Sequence, residues 1–439
     1  MAHDPVLKAQ ELGMDTVIVD HHQAGHELPQ AHAVINPNRL DDKSGQGALC
    51  AAGVVMVLIG ATSKQLRTRG WWSDARPEPD LMAMMDLVAL GTVCDVVPLV
   101  GLNRAYVRQG LKIMARRDRV GVAALADVAR LSRRPDAHSL GFVLGPRLNA
   151  AGRIGSAMDG LALLTSRDKG HAMQLAQSLE EMNQKRQAIE LATVDRAVEQ
   201  AEAMLGKEAK LPVVVVAGEG WHPGVLGLVA SRLKDRFDKP AFAIGLPKDG
   251  SAASGSARSI AGVNLGAAVQ AAVAAGVAIK GGGHAMAAGI TLEQARLGDL
   301  RAFLETQLAA EVDAVDSVDT LVIDAAIAAS GASTRFIEDL DRAGPFGQGN
   351  PSPVFALPSH KVVYAARAGA DHVSCTLVQS DGTRLKAIAF RAMGTELGEV
   401  LLSERQMPLH IAGRLTINDW GGKREGQLFI DDAAEVPGR

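Results

Sequence analysis

The chemistry of this chain starts with three consecutive residues, Asp20-His21-His22. They follow Thr16-Val17-Ile18-Val19, a short β-branched run of the kind that forms a buried parallel strand. Ligands of open α/β sheets gather at the carboxyl ends of strands, which is where these residues stand. Adjacent imidazoles can reach a metal ion and a phosphate from one turn, and a neighbouring carboxylate can fix an imidazole tautomer. A surface turn with two solvated histidines is the plainer alternative. Asp95 stands out next, inside the apolar run Gly91-Thr92-Val93-Cys94-Asp95-Val96-Val97-Pro98. A carboxylate in such surroundings needs a partner, because burying it bare is costly. A metal ion would serve, and so would a helix N-terminus that it caps. Histidine with carboxylate suits Mn²⁺ or Mg²⁺ better than a soft thiolate set would.

Glycine-bounded segments add anion chemistry. Gly145-Pro146-Arg147-Leu148-Asn149-Ala150-Ala151-Gly152-Arg153 reads as a loop with two arginines, whose guanidinium groups donate in pairs to phosphate oxygens. Ser254-Gly255-Ser256-Ala257-Arg258-Ser259 repeats that logic with hydroxyls. Gly281-Gly282-Gly283-His284 could form a backbone nest with an imidazole beside it. Each alone could be an ordinary turn, and three in one chain weigh against that. His222 opens a helix, and Trp221 beside it reads as a packing residue. Tyr364, His372 and Trp420 are candidates for stacking on bases, with ordinary barrel packing as the alternative for Tyr364 and Trp420.

The elements that position these residues divide the chain in three. Strand runs at 16–19 and 33–35, among helical patterns at 4–13, 47–68 and 80–90 and on to about 131, predict an α/β layer structure. Residues 171–205 contain no Gly or Pro and read as one helix, about 50 Å long, able to bridge two domains. A second α/β unit begins at Pro212, with a helix at about 223–235, strands at 241–246 and 252–257, and an Ala-rich helix at 264–278. A further helix follows the glycine run, and the acidic segment 311–319 is a candidate linker. Five short strand candidates follow, at 353–365, 372–379, 384–391, 409–417 and 427–431, and suggest an OB-like β-barrel.

The chain has 439 residues, 47% of them hydrophobic, which excludes a wholly disordered protein. Its net charge is −3, but residues 101–155 hold eleven Lys/Arg against three Asp/Glu, and residues 299–341 hold ten Asp/Glu against two Lys/Arg. Separated signs fit a protein that turns one basic surface toward an anion. Cys50, Cys94 and Cys375 form no CxxC pair, so a cytoplasmic protein without a disulfide framework is expected. The N-terminus has no basic-then-apolar leader pattern, and no stretch reads as a membrane span.

In order along the chain, the motifs resemble those of the DHH phosphoesterase superfamily and, within it, its single-stranded-DNA-specific exonucleases. The resemblance rests on Asp20-His21-His22, GTVCDVVPL around Asp95, GPRLNAAGR at 145–153, EEMNQKRQ on the long helix and EGWHPGVLGLVASRL at 219–233. It continues through SGSARS at 254–259, GGGHAMAAG at 281–289 and PFGQGNPSPVF at 345–355. It implies a DHH domain over 1–165, a bridging helix over 166–206, a DHH-associated α/β domain over 207–312 and an OB-fold over 320–439. It also implies stepwise 5′→3′ hydrolysis of single-stranded DNA in repair and recombination, with DNA held between the first two domains. A two-ion Mn²⁺ or Mg²⁺ site is implied, and a helicase and a single-strand-binding protein are candidate partners. By the motif match, His21 and Asp95 are metal ligands, Asp20 orients His21, and His22 contacts the scissile phosphate. Arg147, Asn149, Arg153, Ser256, Arg258, Gly282, Gly283 and His284 hold the phosphate backbone.

The family carries two aspartate-bearing strand motifs upstream of its DHH triplet. Here the triplet begins at residue 20, so the DHH domain is expected to be N-terminally truncated and its parallel sheet incomplete. His21 and Asp95 alone are too few for two ions, and a non-catalytic single-strand-binding fragment is the competing expectation. A phosphoesterase for short oligonucleotides is a third reading, against which the barrel-forming residues 321–439 argue.

Overall fold

The computed structural model describes residues 3–206, 211–315, 320–403, 407–419 and 423–436. The chain begins with α1 (His3–Glu11), β1 (Val17–Val19), β2 (Ala33–Ile35), α2 (Ala51–Thr68), α3 (Met85–Cys94), α4 (Gly101–Met114) and α5 (Val120–Val128). A π-helical turn at Ser139–Leu144 leads into α6 (Gly145–Ile154), α7 (Ala157–Thr165) and the 37-residue α8 (Lys169–Leu205). Next come β3 (Val214–Glu219), α9 (Pro223–Phe237), β4 (Ala241–Leu246), β5 (Ala253–Arg258), α10 (Leu265–Ala274), β6 (Lys280–His284), β7 (Ala287–Leu292) and α11 (Leu297–Asp313). The last part holds β8 (Ala325–Ala326), α12 (Thr334–Asp341), β9 (Val354–Ala368), β10 (His372–Val378), β11 (Arg384–Ala389), α13 (Glu396–Leu402), β12 (Leu409–Asn418) and β13 (Glu425–Glu435).

These elements form two compact units: residues 1–116, 134–141 and 320–439, and residues 117–133 and 142–319. In the first unit β1 and β2 pair in parallel, Val17 opposite Ala33. The runs form the expected strands but are not buried: Val17 is 56% exposed, and the other five residues are half-buried. Each strand is only three residues long in a two-stranded sheet, so neither is flanked on both sides. Met56, Met85, Val88 and Ile113 join α2, α3 and α4 in a small core. The barrel closes in the order β9-β10-β11-β13-β12-β9, because the long β9 pairs with both β10 and β12. The alternation His372-Val373-Ser374-Cys375-Thr376-Leu377 buries Val373, Cys375 and Leu377, the inward period of a half-exposed strand. Leu357, Ile411 and Leu428 meet them in the barrel core.

In the second unit the sheet order is β3-β4-β5-β7-β6, with β3 and β4 parallel and the other pairs antiparallel. One face carries the main core, with Phe242, Ile244, Leu265, Leu292, Leu300 and Leu304. On the other face α9 covers β4 and β5 and α8 lies against β3, with Val225, Leu226, Val229 and Leu233 of α9 packed beside Ala197 and Ala201 of α8. The first half of α8 packs against α5, α6 and α7, so this one helix carries both parts of the unit. The absence of Gly and Pro from residues 171–205 permits its length, and the Asp168 side chain starts it by accepting from the His171 N–H at 2.6 Å.

Several local expectations change. Residues 145–154 are a helix, not a loop: Leu148, two arginines and two alanines outweigh the two glycines, and Pro146 lies in the first turn, where no N–H is needed. Residues 280–284 are a strand, not a nest, because β7, which the sequence reading passed over, supplies an antiparallel partner. Asp95 ends α3 rather than starting a helix. The acidic segment 311–319 is helical through Asp313, and its last part, 316–319, lies outside the described residues.

Candidate functional sites

In the first unit, the backbone around Asp20-His21-His22 is held by hydrogen bonds from both sides. The Asp20 N–H donates to the Ile35 carbonyl at 3.0 Å, continuing the pairing of β1 with β2. Its Oδ1 then accepts from the His21 N–H at 2.7 Å and the His22 N–H at 3.1 Å, an Asx-type turn that folds the carboxylate over its own backbone. The same oxygen meets His22 Nδ1 at 2.7 Å. The motif match assigned Asp20 to the His21 ring; the structure gives it to His22, because the turn aims the carboxylate two residues ahead. Burial pushes the Asp20 carboxyl up, but the hydrogen bonds from His22 and His21 outweigh it and hold the group below the usual carboxylate range.

His21 turns the other way. Its Nδ1 lies 3.5 Å from Asp95 Oδ2, so a turn after β1 and the end of α3 deliver one imidazole and one carboxylate to one place. The two histidine rings are 4.5 Å apart, tilted by 48°. His22 is largely exposed and His21 largely buried. Two asparagines that sequence reasoning passed over support both histidines. Asn36 Nδ2 donates to the His22 carbonyl at 2.8 Å, and Asn38 Nδ2 donates to the His21 carbonyl at 2.7 Å and to the Gly47 carbonyl at 2.9 Å. Asn36-Pro37 is a turn signal at the end of β2, and such a signal does not show where the amides point.

His21 and Asp95 suit a divalent ion chemically, as a hard-to-intermediate donor pair spaced like two ligands of one centre. They fit one edge of a coordination sphere. Among the described residues, no group of three or more His, Cys, Asp or Glu forms a fuller set.

The second unit gathers the candidate phosphate-binding residues. Sheet register sets two rows across β5, β7 and β6: Ser256–Gly289–Gly282 and Arg258–Ala287–His284. Paired residues project to one face, so Ser256, Arg258, Gly282 and His284 share it, and the glycine row keeps part of it low. Gly283 belongs to the same strand but to its other face. On α6, Asn149 and Arg153 are four residues apart and share a side of the helix. Arg153 donates to the Gly224 carbonyl at 2.9 Å, at the start of α9. A Cβ on Gly224 would collide with the Arg153 carbonyl oxygen, so only glycine admits this approach.

The arginines here feel one another. Burial lowers the Arg258 guanidinium below its usual value, and the Arg153 charge lowers it further. Arg186 on α8 is depressed by burial, supported by Glu190 and depressed again by Arg153. Cations crowded in this way favour an anion between them. Arg186 lay in the EEMNQKRQ segment but was not singled out; its signal was Glu190, four residues on, with which it pairs. Arg147 lies apart from this exchange, with Nε 2.5 Å from Glu180 Oε2 and Nη1 donating to the Val143 carbonyl at 2.6 Å.

On the barrel, His372 and Phe390 meet edge to face at 5.0 Å, and Phe390 meets Phe429 likewise at 5.0 Å. Phe390 is 52% exposed and Tyr364 59% exposed. Phe390 and Phe429 were not foreseen as surface aromatics, and Trp420 lies outside the described residues. Among the described residues, no helix is long and apolar enough to cross a membrane.

Three family models match the chain: DHH family, N-terminal domain, over residues 1–92; DHHA1 domain over 210–310; and RecJ OB domain over 323–432. The single-stranded-DNA-specific exonuclease RecJ of Dickeya dadantii is 36% identical over 441 residues, covering 98% of this chain and 75% of that protein. The Escherichia coli protein of the same name is 35% identical, with the same coverage, and the Bacillus subtilis one is 33% identical over 52% of its length. Among solved structures, RecJ in complex with Mn²⁺ from Thermus thermophilus superposes with a TM-score of 0.81 at 28% identity. That match takes in 100% of this chain and 61% of the other. Exonuclease RecJ bound to manganese gives a TM-score of 0.57 at 29% identity over 72% of this chain and 75% of that one. The chain thus spans about three quarters of the first two sequence relatives and less than two thirds of the Thermus chain. With 36% and 35% identity over three quarters of two such exonucleases and a superposition on RecJ at a TM-score of 0.81, the chain belongs to the RecJ family.

Proposed function

We propose that this chain carries out single-stranded-DNA-specific exonuclease chemistry, releasing nucleotides stepwise from 5′ ends with Mn²⁺ or Mg²⁺. The observation that carries the reading is the 3.5 Å approach of His21 to Asp95, with Asp20 and His22 alongside. His21 and Asp95 would hold a divalent ion, which when bound supplies a site that activates water and neutralises phosphate charge. The other roles belong to the chain. Asp20 keeps the His22 ring oriented by its 2.7 Å hydrogen bond, so that the exposed imidazole can face a scissile phosphate. Asn36 and Asn38 hold the backbone beneath both rings. In the second unit, Arg153 and Arg258 offer charge to the strand backbone, with Asn149, Ser256, His284 and the Gly282–Gly283 backbone as neutral donors, while the buried Arg186, paired with Glu190, backs them. Arg147 serves indirectly, through Glu180 on α8. The barrel aromatics His372, Phe390 and Tyr364 are suited to stacking on bases without sequence preference.

The same reading divides the chain into a DHH domain over 1–165, a connecting helix over 166–206, a DHH-associated domain over 207–312 and an OB domain over 320–439. It gives the protein a cytoplasmic place in DNA repair and recombination, beside a helicase and a single-strand-binding protein. The test is Mn²⁺-dependent degradation of strands labelled at either end. We expect 5′ products first, and none from Asp95→Ala. Undiminished degradation by Asp95→Ala would overturn the assignment. A second reading, strand binding without hydrolysis, is favoured by the two-donor size of the His21–Asp95 set. Tight binding with no degradation in the same assay would select it.

A further inference from the structure

Asp95 is half of the metal-holding pair, yet nothing in its own helix fixes the direction of its carboxylate. It ends α3, and the next residue, Val96, has φ +58° and is 67% exposed. A β-branched residue in the left-handed region does not hold that conformation unaided, so the surroundings must impose it. Two restraints do so. Asn103 of α4, buried, donates from Nδ2 to the Pro98 carbonyl at 2.9 Å and the Ala48 carbonyl at 2.6 Å. The second comes from the chain just before the barrel. The Leu99 N–H donates to the Gln348 carbonyl at 2.6 Å, and Leu99 is only 2% exposed.

The segment carrying Gln348 is built to make this contact. Gly347 and Asn350 exchange backbone hydrogen bonds of 2.9 and 3.1 Å, closing a tight turn. Asn350 Nδ2 braces it against the Ala343 and Pro345 carbonyls. Arg104, one turn into α4, donates to the Ala343 and Gly344 carbonyls. Both glycines are needed for closeness. A Cβ on Gly347 would lie 2.8 Å from Leu99 Cδ1, and one on Gly349, at φ +70°, would lie 2.8 Å from Pro98 Cβ.

We propose that the Gly347–Asn350 turn is a positioning element for the reaction: it clamps Pro98 and Leu99 and thereby sets the Asp95 carboxylate against His21. The residues before the barrel then act on the reacting centre and not only on the strand. This rests on the proposed metal-dependent function. Its test uses the full chain and the variants Gly349→Ala and Gly347→Ala, with Mn²⁺ affinity followed by electron paramagnetic resonance in the absence of DNA. We expect Mn²⁺ affinity and kcat to fall by about tenfold or more, while KM for single strands changes by less than about twofold. Amide exchange over residues 92–99 should quicken. Leu99→Val, which removes the δ carbons that the new methyl meets, should restore Mn²⁺ affinity in the Gly347→Ala background. That rescue does not follow from general loss of fold, and it remains readable if Gly349→Ala fails to fold. Variants with unaltered Mn²⁺ affinity and unaltered exchange over 92–99 would overturn the clamp. A parent chain that neither binds Mn²⁺ nor degrades strands would instead overturn the functional reading, and exchange alone would still decide whether the turn holds the loop.

Discussion

The Asp20 carboxylate shows how much one side chain settles at the residue scale. Its Oδ1 accepts from the His21 and His22 backbone amides and from the His22 ring, and so is committed to one turn. His21 is thereby left to Asp95. The histidine backbone depends in turn on amides from another segment, so Asn38 is a residue whose loss should exceed its local hydrogen bonds. Asn38→Ala removes bonds to His21 and Gly47 and should lower strand degradation about 10- to 100-fold, as lost outer supports of metal ligands do. Strand binding should persist. Steady-state rates set against a binding titration separate the two, and equal loss in both would argue that Asn38 acts only on folding.

Elements decide how such residues are held. The segment between α2 and α3 is pinned where Glu78 accepts from Ser63 at 2.6 Å and from Arg67 Nε at 2.9 Å, both on α2. The Arg67 hydrogen bond, then that of Ser63, pulls the Glu78 carboxyl from 4.5 down to about 2. A carboxyl with a depressed folded value contributes stability that is complete above its unfolded value and lost as pH falls through its folded value. The melting-temperature advantage of the parent over Glu78→Gln should therefore hold at neutral pH and shrink between about pH 4.5 and 2. A constant advantage across that window would show that Glu78 acts by packing. Regular elements were also the most legible part of the sequence. The Gly- and Pro-free run became α8, and the alternating runs became five barrel strands near their expected limits. The glycine-rich motifs misled because glycine permits loops without requiring them. Helix-forming residues carried 145–154 into a helix, and an unforeseen partner strand drew 280–284 into the sheet.

For the whole molecule, a net charge of −3 gives no hint of affinity for a polyanion. Local crowding does: Arg186 and Arg258 are depressed by burial and by the charge of Arg153, all in one unit. Each such contact to a strand releases counterions, so binding should weaken linearly in log–log terms as salt rises. Arg258→Ala should flatten that slope by about 0.7, the single-strand value for one phosphate contact. Titrations across a series of salt concentrations measure this; an unchanged slope would mean that Arg258 serves the sheet and not the strand.

The sequence by itself determined which residue types were available and where periodic elements run, because propensity, alternation and capping act over a few neighbours. It therefore marked Asp20, His21, His22, Asp95 and the arginine and serine motifs, and it marked the barrel. Only the tertiary structure decided which of them meet. The His21–Asp95 pair, the asparagine supports, the pairing of β5 with β7 and the turn against Leu99 all join separate segments of the chain. Their geometry comes from strand register, helix packing and single hydrogen bonds between those segments, and none of these is a property of any one stretch of residues.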